Sequence, residues 1–193
     1  MTQLLLDAGA DIELKCDDIA PLWCAVDKGN AGAVRVLLDA GANPDSVDPN
    51  GATALFLAAQ LNRVPEMRML LQAGADKDMA NSSGITPLMI ATHKRNVEAV
   101  RTLLAAGADE QRVGGEGRTA LAVAIANDNY EDFVVEIDCG SEHPCFSLLA
   151  KGVAIADEHW TSTDCERLAA AAAFCQKCDS AAVAADCTRK DSV

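Results

Sequence analysis

Eight cysteines and three histidines are the side chains of this 193-residue chain best suited to metal or nucleophilic chemistry. Cys175 and Cys178, with Cys165, Cys187 and His159 nearby, offer the thiolate and imidazole donors that zinc favours. Two cysteines three apart also share a face of any alanine-rich helix, and no second Cys-x-x-Cys completes a tetrad. Structural thiols are therefore the simpler reading, ahead of zinc or a redox pair, and no metal ligand is assigned. His93, His143 and His159 would each need a nucleophile or carboxylate within hydrogen-bond reach to do acid–base work. No nucleophile elbow, paired-carboxylate signature or metalloprotease motif accompanies them, so no catalytic residue is assigned. Gly114-Gly115-Glu116-Gly117-Arg118-Thr119 has the glycine content of a phosphate loop. Arg112 stands where its first glycine belongs, however, and Arg118 where its lysine belongs, so no nucleotide or other cofactor is expected. The terminal Asp191-Ser192-Val193 fits a groove that captures a carboxylate by strand addition, a three-residue match that arises often by accident.

Composition narrows the class. The formal charge is −13, from 16 basic and 29 acidic residues, which argues against a general nucleic-acid binder because phosphate neutralisation needs a basic face. Residues 1–140 hold 21 acids and 11 bases and residues 141–193 hold 8 and 5, so the acidity does not come from an acidic tail. Half the residues are apolar, yet aromatics are only 4% and alanines number 36, which favours close helix packing over a core of large side chains. The three leucines Leu4 to Leu6 are too short for a signal-peptide core, and no basic segment precedes them. The longest apolar stretch, Leu168 to Cys175, is far below the roughly 18–20 residues that span a bilayer. A soluble protein of a reducing compartment follows, cytoplasmic or nuclear. The Asn81-Ser82-Ser83 sequon would matter only after secretion.

The elements that position these residues repeat. Ala8-Gly9-Ala10-Asp11, Ala40-Gly41-Ala42-Asn43, Ala73-Gly74-Ala75-Asp76 and Ala106-Gly107-Ala108-Asp109 place their glycines 32, 33 and 33 residues apart. A Leu-Leu pair precedes each. Ala20-Pro21-Leu22, Thr53-Ala54-Leu55, Thr86-Pro87-Leu88 and Thr119-Ala120-Leu121 keep the same period, as do Gly51, Gly84 and Gly117. Within one period, Thr86 can cap a helix and Pro87 suits its first turn. Leu88, Ile90 and Ala91 would bury its inner side. Val97, Val100, Leu103 and Leu104 then recur at helical steps, and Gly107 suits the left-handed residue that ends a helix.

These markers resemble the ankyrin-repeat family, with its Thr-Pro-Leu-His-x-Ala signature and 33-residue period. The resemblance implies an all-α, ankyrin-repeat solenoid of β-turn plus helix-turn-helix units over residues 1–140, followed by a helical C-terminal segment. The units are a partial repeat 1–17, repeats 18–50, 51–83 and 84–116, and a degenerate last repeat 117–140, where Glu136-Ile137 replaces the leucine pair and Gly140 keeps the period. Met1 falls inside a second helix, so either residues are missing upstream, or the end is frayed or covered by another chain; the protein is expected to be monomeric or part of a longer chain. Residues 141–193 form an alanine- and cysteine-rich tail. Its capping box at Thr163 and Glu166 starts a helix that would close the end of the solenoid.

The family resemblance also implies a non-enzymatic scaffold that binds a protein partner through a shallow concave surface. At the turn tips this surface would present Cys16, Asp17 and Ile19; Pro49, Asn50 and Ala52; Ser82, Ser83 and Ile85; and Gly115, Glu116 and Arg118. At the first-helix ends it would present Asp27 and Lys28, Gln60 and Leu61, His93 and Lys94, and Ala126 and Asn127. The mixed chemistry of this set suits a protein more than a polyanion. Trp23, Phe56, Met89 and Ala122 replace the signature histidine, so turn order is expected to rest on packing more than on that residue's hydrogen bonds. Trp23 reads either as packing or as a contact anchor. Two alternatives remain: a regulatory segment of a larger enzyme or channel, and an adaptor whose tail recruits a second partner.

Overall fold

The computed structural model describes residues 2–115 and 117–127, which include the eight helices that follow. They are α1 (Thr2–Asp7), α2 (Pro21–Asp27), α3 (Ala31–Asp39), α4 (Ala54–Gln60), α5 (Val64–Gln72), α6 (Pro87–His93), α7 (Val97–Ala105) and α8 (Ala120–Ala126). The starts of α2, α4, α6 and α8 lie 33 residues apart, as do those of α3, α5 and α7. Among the described residues there is no strand, only the isolated bridges Cys16 to Ile19 and Val47 to Thr53 that close turns. The expectations for Glu116, Gly140, the end of the last repeat and the tail 141–193 with its cysteines lie outside the described residues.

The chain forms two compact units, Met1–Ala108 and a second beginning at Asp109. In the first, α2 packs against α3, α4 against α5 and α6 against α7, making three helical pairs. Each pair meets the next through both its helices: α2, α4 and α6 adjoin in order, as do α1, α3, α5 and α7. The buried residues explain why. Leu22 and Val26 of α2, Leu55, Ala58 and Ala59 of α4, and Leu88 and Ala91 of α6 face the pairs' interiors. Val34 and Leu37, Met67 and Leu70, and Val100 and Leu103 meet them from the second helices. Met89, at 4% exposure, is as buried as these, whereas Ile90 is only half-buried. The expected inner face of α6 is thus corrected by one residue: the position that carries histidine in the signature points into the core here.

Local chemistry sets each boundary. Thr53, Thr86 and Thr119, all buried, accept hydrogen bonds from the backbone N–H groups of Phe56, Met89 and Ala122 at 3.1, 3.3 and 3.3 Å. Ala20, at the matching position, has no side-chain cap, and α2 relies on Pro21 in its first turn. The second helices close alike. Gly41 has φ 90°, its N–H reaches Leu38 O at 3.0 Å, and the next N–H, of Ala42, reaches Leu37 O at 3.0 Å. Gly74 with Ala75, and Gly107 with Ala108, repeat this doubled closure. The first helices end the same way at Gly29, Asn62 and Arg95 with φ 63°, 54° and 59°.

One glycine is also held by a neighbour. At Gly51 (φ 72°) a Cβ would lie 2.6 Å from Ser82 Oγ and 2.9 Å from Ser82 N, because Ser82 N–H donates to Asn50 O of the preceding turn at 3.0 Å. Gly41, by contrast, has open space where a Cβ would stand. Gly41→Ala should therefore cost about 1 kcal/mol for the left-handed backbone alone. Gly51→Ala should cost measurably more in urea unfolding, since turn-to-turn contact is lost as well; equal losses would show that this contact contributes nothing.

Candidate functional site

Two rows of loops flank the first helices of unit 1. The first row holds the turn tips. Cys16 and Ile19 exchange backbone hydrogen bonds at 3.0 Å around Asp17 and Asp18, whose φ values of 53° and 64° make a tight left-handed turn. In the next two turns a side chain does the ordering. Asp48 Oδ1 accepts the N–H groups of Asn50 and Ala52 at 2.9 and 2.8 Å. Asn81 Oδ1 accepts those of Ser83 and Ile85 at 3.1 and 2.9 Å. Phe56 and Met89, which stand in the signature histidine's place, are buried, and these turns rest in addition on Asx hydrogen bonds. Asp48 and Asn81 are 33 residues apart, and that spacing is the signal that could have found them.

Pro49, Asn50, Ser82 and Ser83 stand exposed at these tips, with Cys16 and Asp17, while Ile19 and Ile85 are half-buried. Ala52 is a correction. It is 7% exposed, its N–H is taken by Asp48 and its carbonyl by Asp48 N–H, so it closes the turn and offers a partner nothing. In the second unit, Arg118 is half-buried and its carbonyl accepts from Gly114 N–H at 2.9 Å. Asn127 is half-buried, Gly115 is exposed, and Glu116 lies outside the described residues.

The second row runs through the first-helix ends: 27–30, 60–63 and 93–96. Lys28, Leu61, His93 and Lys94 are exposed; Asp27 and Gln60 are half-buried. Lys28 Nζ lies 2.9 Å from Asp27 Oδ2, a bond that raises the lysine's pKa. Neighbouring loops are joined by groups that the sequence did not single out. Asn96 Nδ2 donates to Ala59 O and Gln60 O at 2.8 and 2.9 Å, tying loop 93–96 to the end of α4. Arg63 lays its guanidinium over Gly29, where a Cβ would be 2.7 Å from Arg63 Cζ.

Trp23 is half-buried on α2, and its indole Nε1 is shielded from solvent without an acceptor among the described residues. Its ring thus packs, while the buried donor is left unsatisfied, an energetic cost. Cys16 and Cys24 are free and exposed. Partial burial first, then Asp27 and Cys16, push the Cys24 thiol up, against a smaller opposing pull from Lys28. No group of three or more potential metal ligands occurs among the described residues.

This alternation of buried caps with two exposed loop rows has a matching family description. The model for ankyrin repeats, a three-copy unit, matches residues 1–81 and 67–137. The chain belongs to the ankyrin-repeat family. Ankyrin repeats generally mediate protein–protein interaction. The chain is also 40% identical over 63 residues to a Danio rerio protein described as "Putative palmitoyltransferase ZDHHC13", an overlap of 32% of this chain and 10% of that protein. The match thus spans about a tenth of the length of that relative. No helix among the described residues is long and apolar enough to cross a membrane.

The electrostatics of the first repeat give a direct check. Asp27→Asn removes a charge that disfavours the Cys24 thiolate, so Cys24 should be alkylated by a maleimide about two- to threefold faster near neutral pH. Site-resolved mass spectrometry reads this apart from Cys16, and an unchanged rate would show that Asp27 does not govern the thiol.

Proposed function

We propose that this ankyrin array is a non-enzymatic scaffold that binds a protein partner through its turn tips and first-helix ends. One observation carries the reading: the groups that hold the stack together are buried or turned inward, and a continuous set of side chains in two loop rows is left over. Thr53, Thr86, Met67 and Leu70 serve the stack. Pro49, Asn50, Ser82, Ser83, Lys28, Leu61 and Lys94 lie outside it. Their mixture of apolar, polar and charged groups suits the varied surface of a folded protein or a peptide better than a repeating polyanion. The half-buried Trp23, with its indole Nε1 shielded from solvent, favours packing over a fully exposed anchor.

A second reading rests on the similarity to the palmitoyltransferase-named protein. Because the overlap is a tenth of that protein's length, it supports a regulatory ankyrin segment of a larger enzyme, in which the repeats would present a partner to a separate catalytic part. The surface used would be the same.

Photocrosslinking tests the shared prediction. Benzoylphenylalanine placed singly at Lys28, Asn50 and Ser83 should give a common adduct in extracts of the native host. The same group at Arg68 and Gln72, exposed on α5, should give none of that adduct. Adducts arising only from the α5 positions would place the interaction on the second helices and overturn the proposal.

A further inference from the structure

One asparagine of the turn tips sits in a sequence that reacts without an enzyme. An asparagine loses its side-chain nitrogen as ammonia when the backbone nitrogen of the next residue attacks its carboxamide carbon, and a Cβ on that next residue hinders the attack. Asn50 is the one asparagine in the chain followed by glycine. It is exposed at the tip of its turn, and a solvated tip opens more readily than a packed helix. Other asparagines of the described residues are held or lack a good nucleophile. Asn43 precedes Pro44, which has no N–H. Asn30 Oδ1 accepts Ala33 N–H at 3.0 Å, Asn81 Oδ1 accepts the N–H groups of Ser83 and Ile85, and Asn96 Nδ2 donates to Ala59 O and Gln60 O. Asn62 and Asn127 are followed by Arg63 and Asp128, both with a Cβ.

In the closed turn three hydrogen bonds restrain the reacting atoms. Gly51 N–H donates to Asp48 O at 2.9 Å, so the nucleophilic nitrogen is occupied. Asn50 Nδ2 donates to Asp48 Oδ2 at 3.3 Å, which ties the carboxamide to Asp48. Asn50 O accepts Ser82 N–H at 3.0 Å from the following repeat, which fixes the peptide plane between Asn50 and Gly51. The first two bonds close within the turn. The third depends on the neighbour, so opening this joint frees the Asn50–Gly51 peptide to rotate.

From this we infer that Asn50 is a site of spontaneous deamidation, restrained by the contact from Ser82 and released when that contact opens. The Gly51 nitrogen attacks Asn50 Cγ; the N–Cγ bond forms, the Cγ–Nδ2 bond breaks, and the Gly51 amide proton leaves with Nδ2 as ammonia. Water then opens the five-membered imide at either carbonyl, giving aspartate or isoaspartate. In aspartate a carboxylate replaces the Nδ2 donor opposite Asp48 Oδ2, so an attraction becomes a repulsion. In isoaspartate the chain runs through Cγ with one extra backbone carbon, and the carbonyl that accepted Ser82 N–H becomes a free carboxylate. Either product adds negative charge to a tip where Pro49 and Asn50 carry none. The modification alters the surface proposed above for a partner, and it proceeds whether or not a partner binds there.

The test incubates the folded full chain at neutral and at mildly alkaline pH and follows each asparagine by peptide mapping with mass spectrometry. The mass gain of exchanging NH2 for OH should appear at residue 50 before any other described asparagine, and faster at alkaline pH, where the attacking nitrogen is more readily deprotonated. An isoaspartyl methyltransferase should label the same peptide. Urea-unfolded parent should convert at residue 50 faster than folded parent. Pro49 stands at the matching place of the preceding turn, so Ser82→Pro suits the turn backbone while removing the N–H donor. This variant should convert Asn50 about three- to tenfold faster than the parent, as loss of one ordinary hydrogen bond predicts. Ser82→Ala keeps the N–H and should keep the parent rate. Circular dichroism verifies the fold of each variant. Conversion at another described asparagine before Asn50 overturns the site. Equal rates in folded and unfolded parent, or in parent and folded Ser82→Pro, overturn its restraint by the neighbouring repeat.

Discussion

A helix of seven or nine residues does not persist alone in water, because nucleation costs more than so few hydrogen bonds return. The helices α2 to α7 are all of that length. Everything else in the first unit follows from the need to bury one short pair against the next. Met67 and Leu70 are fully buried on α5, each worth about 1.5–3 kcal/mol on transfer from water. Ala58 and Ala91 keep the contact close, with no exposed surface at all. Stability is then a sum of nearest-neighbour terms, and polar groups at the joints must be satisfied across repeats as well as within them. Asp45 Oδ1 accepts Asp76 N–H at 2.9 Å and Glu13 Oε1 accepts Asn43 N–H at 2.7 Å, the same bond in successive repeats.

The parts legible in sequence were those in which a residue type answers a local backbone demand. Gly41, Gly74 and Gly107 stand where φ is positive, and Thr53, Thr86 and Thr119 stand where a helix needs a cap. Their chemistry is fixed within five residues, so type and spacing suffice. The misplacements have a different origin. Ile90 and Met89 are adjacent and both apolar, and only the angle at which α6 meets its neighbours decides which is buried. Ala52 looked like a tip because it follows the turn glycine, but the hydrogen bond from its N–H to Asp48 draws it inside. Asn96 acts on carbonyls 36 and 37 residues away, and a periodic pattern does not carry such a partnership unless the partner also repeats.

Scaffold and surface are separable for the same reason. The Asx acceptors Asp48 and Asn81 order their turns through backbone N–H groups, to which Asp48 Oδ2 adds one bond from Asn50 Nδ2 at 3.3 Å, so the tip side chains can differ without loss of the turn. Pro49-Asn50 and Ser82-Ser83 occupy equivalent sites with unlike chemistry. Leu4, on α1, and Leu14, two residues before the Cys16 turn, are each 69% exposed.

The first-helix ends show how one variable position constrains another. Gly29, Asn62 and Arg95 share a left-handed backbone, which is unfavourable for any residue with a Cβ. Backbone demand alone would make all three glycine. What differs is the residue one place further along in the following repeat. Arg63 stretches across Gly29 and fills the volume a Cβ would need, 2.7 Å from its Cζ. Asn96 is shorter and reaches under loop 60–63 to the carbonyls of Ala59 and Gln60. A long arginine at one joint thus demands glycine before it, whereas a short asparagine at the next leaves room for the side chain of Asn62. Bulk along this row is therefore set pairwise between repeats.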